Sequence, residues 1–132
     1  MNPTPSGSMR VLVVDDNKNA RQALCATLKL LGYATREVGS GRDALEAATR
    51  SLPDVVLFAL NSPGANGYEV VRWLRELPGG GRVLLAAVTG EFDHDTLDRG
   101  REVGFDAFLP EPVELPFLEE VLRNHELTRR GD

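Results

Sequence analysis

One cysteine, Cys25, stands among the 132 residues. That excludes an internal disulfide and a zinc site built from thiolates, and it fits a reducing, cytoplasmic setting. The two histidines, His94 and His125, are far apart without ligand-like spacing, so both are expected in solvent. Basic residues are outnumbered, 15 Lys and Arg against 20 Asp and Glu for a net charge of −5. This argues against nucleic acid and against an anionic membrane surface as partners. No apolar run approaches the ~18–20 residues that a membrane-spanning helix needs. The opening MNPTPSGSM has neither a basic nor an apolar region of a signal peptide, and residues 1–9 read as a flexible tail or a cloning scar. No internal repeat and no low-complexity segment appears. After the first apolar run, DDNKNAR is acidic and glycine-free, so a phosphate-cradling glycine loop is missing. No nucleophile–base pair is evident, and the chain is expected not to be an enzyme.

What remains is one domain, residues 10–125, followed by a polar tail over 126–132. RVLVV, DVVLFAL and RVLLAAVTG are apolar runs without alternation, the mark of strands covered on both faces. YATREV and FDAFL are shorter strands. Between them lie amphipathic helices. Leu24, Leu28 and Leu31 share a face that ends at Gly32, a good residue for leaving a helix. Ser40 and Asp43 have capping-box spacing before Ala44, Leu45 and Ala48. Val70, Leu74 and Leu77 form a third stripe. DHDTLDRGREVG is a weaker helix because Gly100 inside it costs about 1 kcal/mol against alanine. ELPFLEEVLRNH closes the domain, with Pro116 in its first turn. Strand and helix alternate five times, so the expected class is α/β: a parallel sheet wrapped on both faces by right-handed crossovers. In such sheets ligands sit at the carboxyl ends of the strands. Here those ends are Asp15-Asp16, Ala59, Thr89 and the LPEP after the last strand.

VLVVDDN, GYATREVGSGRDALEA, PDVVL, PGANGYEV, AVTG and GFDAFLPEPV stand in the order and spacing of the receiver domain of two-component response regulators. Over residues 10–125 the chain resembles that family, and within it the receivers of bacterial hybrid histidine kinases. The resemblance implies a flavodoxin-like three-layer α/β/α sandwich with strand order 2-1-3-4-5. In the family, a histidine kinase passes a phosphoryl group to an aspartate ending the third strand. Magnesium is held by an acidic pair, a lysine contacts the phosphoryl group, and a Ser/Thr and an aromatic respond. By position, Asp15 and Asp16 match the acidic pair, Thr89 the hydroxyl and Phe108 the aromatic. The phosphoacceptor position falls on Ala59 and the lysine position on Glu111.

Both departures bear on the chemistry. A methyl group cannot attack phosphorus or ligate a metal, and Glu111 sets an anion where phosphoryl oxygens want a cation. The expectation is a degenerate pseudo-receiver of a bacterial phosphorelay, a protein–protein interaction module that works without phosphorylation. The alternative is an ordinary phosphorelay receiver whose acceptor aspartate was replaced by Ala59. Expected partners are a histidine kinase or an effector domain, with a homodimer through residues 92–125 as a further option. No cofactor is expected, and magnesium at Asp15 and Asp16 at most weakly; the same two residues read otherwise as caps of the first helix. Glu111 either lends its oxygen to that acidic pocket or faces solvent. The bond from Glu111 to Pro112 is expected cis from the family match. Ser62 replaces the large apolar residue the family prefers, while Pro63-Gly64 and Gly67 keep its turn. Trp73, at the margin of the third stripe, is a candidate partner contact or a lone surface aromatic. Phe108 reads as a fixed aromatic, Thr89 as a strand end without a switching role, and Cys25 as a packed structural thiol.

Overall fold

Five strands, each short and four of them rich in apolar residues, alternate with five helices. The computed structural model describes residues 9–60, 67–90 and 93–131. In order they are β1 (Arg10–Val14), α1 (Lys18–Leu30), β2 (Ala34–Val38), α2 (Gly41–Arg50), β3 (Val55–Ala59), α3 (Gly67–Glu76), a single 3-10 turn (Gly80–Arg82), β4 (Leu84–Thr89), α4 (His94–Val103), β5 (Ala107–Pro110) and α5 (Leu115–Gly131). The sheet is parallel throughout with order β2-β1-β3-β4-β5. It is the three-layer sandwich the sequence leads one to expect.

The uninterrupted apolar runs are explained by the two-residue period of a strand. Leu12, Val14, Val56 and Phe58 point to one face, where Ala44 and Ala48 of α2 and Val70, Val71 and Leu74 of α3 pack on them. Val11, Val13, Val55 and Leu57 point to the other, against Cys25 and Leu28 of α1 and Leu118 and Leu122 of α5. Both faces are covered, so no position in β3 or β4 is left for a polar side chain except Thr89 at the tip. β2 at the sheet edge is only half covered and keeps Arg36 and Glu37. Glu37 takes a 2.8 Å hydrogen bond from Arg21 Nε of α1.

Local chemistry fixes the helix ends. Asn17 caps α1 by accepting from the Ala20 amide at 3.0 Å. At its other end Gly32 adopts φ +96°. There the Tyr33 amide returns to Leu28 O at 3.1 Å and the Gly32 amide to Lys29 O at 3.0 Å, the paired bonds of a Schellman ending. Ser40 caps α2 through the Asp43 amide at 3.1 Å. Asp93 caps α4 through the Thr96 amide at 2.8 Å.

Four boundaries or roles differ from the sequence reading. Met9, assigned there to the tail, is fully buried with the α1 and α5 side of the core. α5 continues to Gly131, so residues 126–131 extend the helix where a polar tail was expected. His125 is half-buried on α5 and lines a broad hollow of about 700 Å³ at the opposite edge of the sheet from the strand tips, whereas His94 is exposed as expected. Gly100, read as a weak point of α4, is a packing residue: a Cβ there would lie 2.7 Å from two carbons of the Phe108 ring.

One side chain ties the amino-terminal edge of this architecture together. Arg75 of α3 donates to Gly80 O at 2.9 Å, to Val83 O at 2.8 Å and, through Nε, to Gly104 O at 3.0 Å. It also pairs with Asp106, whose carboxylate accepts from the Leu85 amide at 2.9 Å. The planar five-donor guanidinium suits such convergence.

Candidate functional site at the strand tips

The chain leaves β1 through Asp15. Its amide donates to Val38 O at 3.2 Å, and its carboxylate accepts from the Asn17 amide at 2.9 Å. That turn aims the chain into α1 and settles one open question of the sequence: the cap is Asn17, not the acidic pair. Asp16 is exposed and Asp15 half-buried. Arg21, one turn into α1, donates to the Asp15 carbonyl at 3.1 Å while it holds Glu37.

Ala59 ends β3 opposite Val88 and is 5% exposed. The Leu60 amide still donates to Val88 O at 3.0 Å, so the strand tip is clamped on its β4 side. Thr89 ends β4 and is 1% exposed, and its carbonyl accepts from the Glu111 amide at 3.1 Å. The peptide bond from Glu111 to Pro112 is cis, as expected. Glu111 itself is exposed at the rim.

Three of these residues share a cavity. Asp15, Ala59 and Glu111 line a space of about 370 Å³ between α1 and the start of α5. Below them its walls are small or apolar, with Ala20, Ala23 and Leu24 from α1 and Val113 and Leu118 from the α5 side. Among the described residues no lysine or arginine lines it. Asp16 and Thr89 are not in its wall. Sequence reading found the carboxylates and the missing acceptor but not the space beneath; Ala20 and Ala23, three residues apart on one helix face, were the available signal.

The remaining candidates lie elsewhere. Phe108 is half-buried on the α4 side of the sheet, against Gly100 and 6.0 Å from the Phe105 ring. Phe105 in turn meets the Tyr68 ring edge-on at 6.4 Å. Arg101 lies 5.7 Å from the centre of the Phe108 ring, and Arg99 4.4 Å from that of Tyr68. Together these rings form a packed aromatic row. Trp73 stands on the outer side of α3, 45% exposed. Cys25 is buried, and that burial pushes its thiol above the usual range. Ser62, Pro63 and Gly64 lie outside the described residues. Gly67 is described: a Cβ there would fall 2.7 Å from Leu60 and 3.2 Å from Phe58, so the start of α3 needs glycine to come that close.

A magnesium site of the family's kind needs several convergent oxygens. Among the described residues no three His, Cys, Asp or Glu side chains cluster closely enough to hold a metal ion. Asp15 and Asp16 supply two carboxylates, one of them already engaged with Asn17, and Ala59 supplies none. The side chains present do not fit that ion as a tightly held group. Among the described residues no helix is long and apolar enough to cross a membrane.

Comparison with known proteins agrees with this architecture. The response regulator receiver domain family matches residues 11–123. The DNA-binding response regulator MtrA of Mycobacterium tuberculosis is 38% identical over 125 residues, covering 93% of this chain and 52% of MtrA. The sensor histidine kinase AtsR of Burkholderia thailandensis is 30% identical over 122 residues, covering 90% of this chain and 20% of AtsR. The chain therefore spans about half of one relative's length and a fifth of the other's. Among solved structures, the receiver domain of the sensor histidine kinase PA1611 from Pseudomonas aeruginosa, with a magnesium ion coordinated in its active-site cleft, superposes with a TM-score of 0.80. It is 27% identical, with 88% of this chain and 95% of that one covered. With the sheet order, the strand-tip site and a family match over nearly its whole length, this chain belongs to the response regulator receiver domain family of two-component signalling.

Proposed function

We propose that this receiver is a pseudo-receiver that acts by association with a signalling partner and not by accepting a phosphoryl group. The observation that carries the reading is Ala59, buried at the tip of β3 in a cavity wall it shares with Asp15 and Glu111 and, among the described residues, with no lysine or arginine. Phosphoryl transfer to this position needs an attacking carboxylate oxygen, and a methyl group has no lone pair to offer. The incoming phosphate would also face two carboxylates without the ammonium that normally offsets its charge. The two defects are independent, and they reinforce each other.

The packed row of Phe108, Phe105 and Tyr68 supports the same reading, since an aromatic held against Gly100 fits a static surface better than a relay. The partner is a histidine kinase or effector domain, met by the α4–β5–α5 side of the domain or by Trp73 on α3. The place of action is the cytoplasm, and no catalytic step of its own is assigned to the chain.

Incubation with acetyl phosphate and Mg²⁺, followed by intact mass measurement, tests this directly. No acid-labile adduct is expected on the chain as it stands. Ala59→Asp alone should remain unmodified, while Ala59→Asp with Glu111→Lys should accept phosphate. Stoichiometric phosphorylation of the unaltered chain refutes the reading. Full recovery by Ala59→Asp alone favours an ordinary receiver with a replaced acceptor.

A further inference from the structure

The cavity beneath the strand tips has the make-up of a small-molecule site. It is enclosed on two sides by α1 and the α5 start, and it is walled by apolar groups. Its volume, about 370 Å³, lies in the range of ligand pockets, which are mostly apolar with a few polar groups that fix orientation. At the ~30 Å³ that one water occupies in the liquid, it has room for roughly a dozen heavy atoms.

Its polarity is one-sided. Asp15 and Glu111 stand at its strand-tip end, just after β1 and β5, Thr27 adds a hydroxyl on the α1 wall, and the rest of the lining is aliphatic or proline. Thr27 Oγ1 donates along its own helix to Ala23 O at 3.1 Å, so little of its hydrogen-bonding capacity is turned inward. Among the described residues nothing in the wall carries positive charge.

We infer that this cavity binds an amphipathic cation, a small amine with an apolar body. The body would fill the space between Ala20, Ala23, Leu24 and Leu118, and its ammonium would lie toward Asp15 and Glu111. The formal charge of these carboxylates and their place together at the strand-tip end of the cavity select the sign of the ligand. A carboxylic acid of the same shape meets two anions there and is excluded. A bare divalent ion would cover none of the apolar wall and so gain nothing from it, whereas an apolar body does. This site goes beyond the association reading and does not depend on it: it needs the cavity and its charge, whatever the fate of phosphate.

The test uses phenylbutylamine and phenylbutyrate, two probes of matched body and opposite charge, titrated into the ¹⁵N-labelled chain. The amine should shift the amides of Ala20, Leu24, Ala59 and Glu111 in a saturable way, with a Kd of about 1 mM for a ligand of this size. Phenylbutyrate should bind at least about tenfold more weakly, having neither the cation nor a donor for the carboxylates. Glu111→Gln, at an exposed position, should weaken the amine by about fivefold, the upper range for one solvent-exposed charge. Ala23→Leu, taken only if its amide spectrum stays native, should abolish the shifts by filling the space. Equal binding of the two probes, shifts confined to residues outside the lining such as Phe117 and Trp73, or no saturation by about 10 mM would overturn the inference. Failure here leaves the acetyl phosphate result unchanged, so the two proposals fall separately.

Discussion

Replacing Gly100 by alanine sets two physical effects of known sign against each other. In an exposed helix interior the change would stabilise the chain by about 1 kcal/mol through helix propensity. Here the new methyl carbon would stand 2.7 Å from Cε1 and Cζ of Phe108 and 3.4 Å from Phe105. Carbon atoms prefer separations of ~3.5–4.0 Å, so the Phe108 ring has to move by roughly 1 Å. Overpacking of this kind costs about 1–3 kcal/mol, and the net expectation is a loss of about 1 kcal/mol. For a domain of this size that lowers Tm by roughly 3 °C. The decisive measurement is the same substitution in a Phe108→Leu background. With the ring gone the clash goes too, and Gly100→Ala should then stabilise by about 0.5–1 kcal/mol. Urea unfolding at constant m-value reads both numbers, and the cycle should return a coupling of about 2 kcal/mol. If Gly100→Ala stabilises the unaltered chain by its full propensity, Phe108 is not packed against α4 and the static reading of that ring fails.

Arg75→Ala should destabilise by about 3 kcal/mol, since it strands the Gly80, Val83 and Gly104 carbonyls and Asp106 together; Arg75→Lys should rescue little, and a urea-measured loss below about 1 kcal/mol would refute the convergence. The Asp93 carboxyl is held below its usual range by the Thr96 amide. Its cap is therefore complete above the ordinary aspartate pKa near ~3.9 and lost as pH falls through the lower native value. Protection of the Thr96 amide should drop over that acid window in the native chain and show no such drop in Asp93→Asn.

Much of the fold was legible because this sheet is covered on both sides. β1, β3 and β4 have to be apolar at successive positions, and RVLVV, DVVLFAL and RVLLAAVTG say so. The caps at Ser40 and the exit at Gly32 were legible because each depends on residues within a few positions. What stayed hidden depends on distant partners. Met9 follows a polar tail and carries no periodicity, yet it reaches the α1–α5 core. Gly100 looked like a defect until Phe108 was placed against it. Nothing in the sequence marks Arg75, because its carbonyl acceptors come from two separate later stretches, Gly80 to Val83 and Gly104. At the site, the residue types at the tips were readable, but the space under them was not. A cavity is made by what two helices fail to fill, and that takes both helices to see.

The Arg75 knot has a consequence for how such a chain drifts over time. It sits at the floor of the sheet, while Ala59 and Glu111 sit at the roof, and no hydrogen bond of the knot passes through either. The side chains of Ala59 and Glu111 thus take no part in that knot. A lineage that stops needing its ancestral reaction can rewrite that surface one side chain at a time, and the building stands while its use changes.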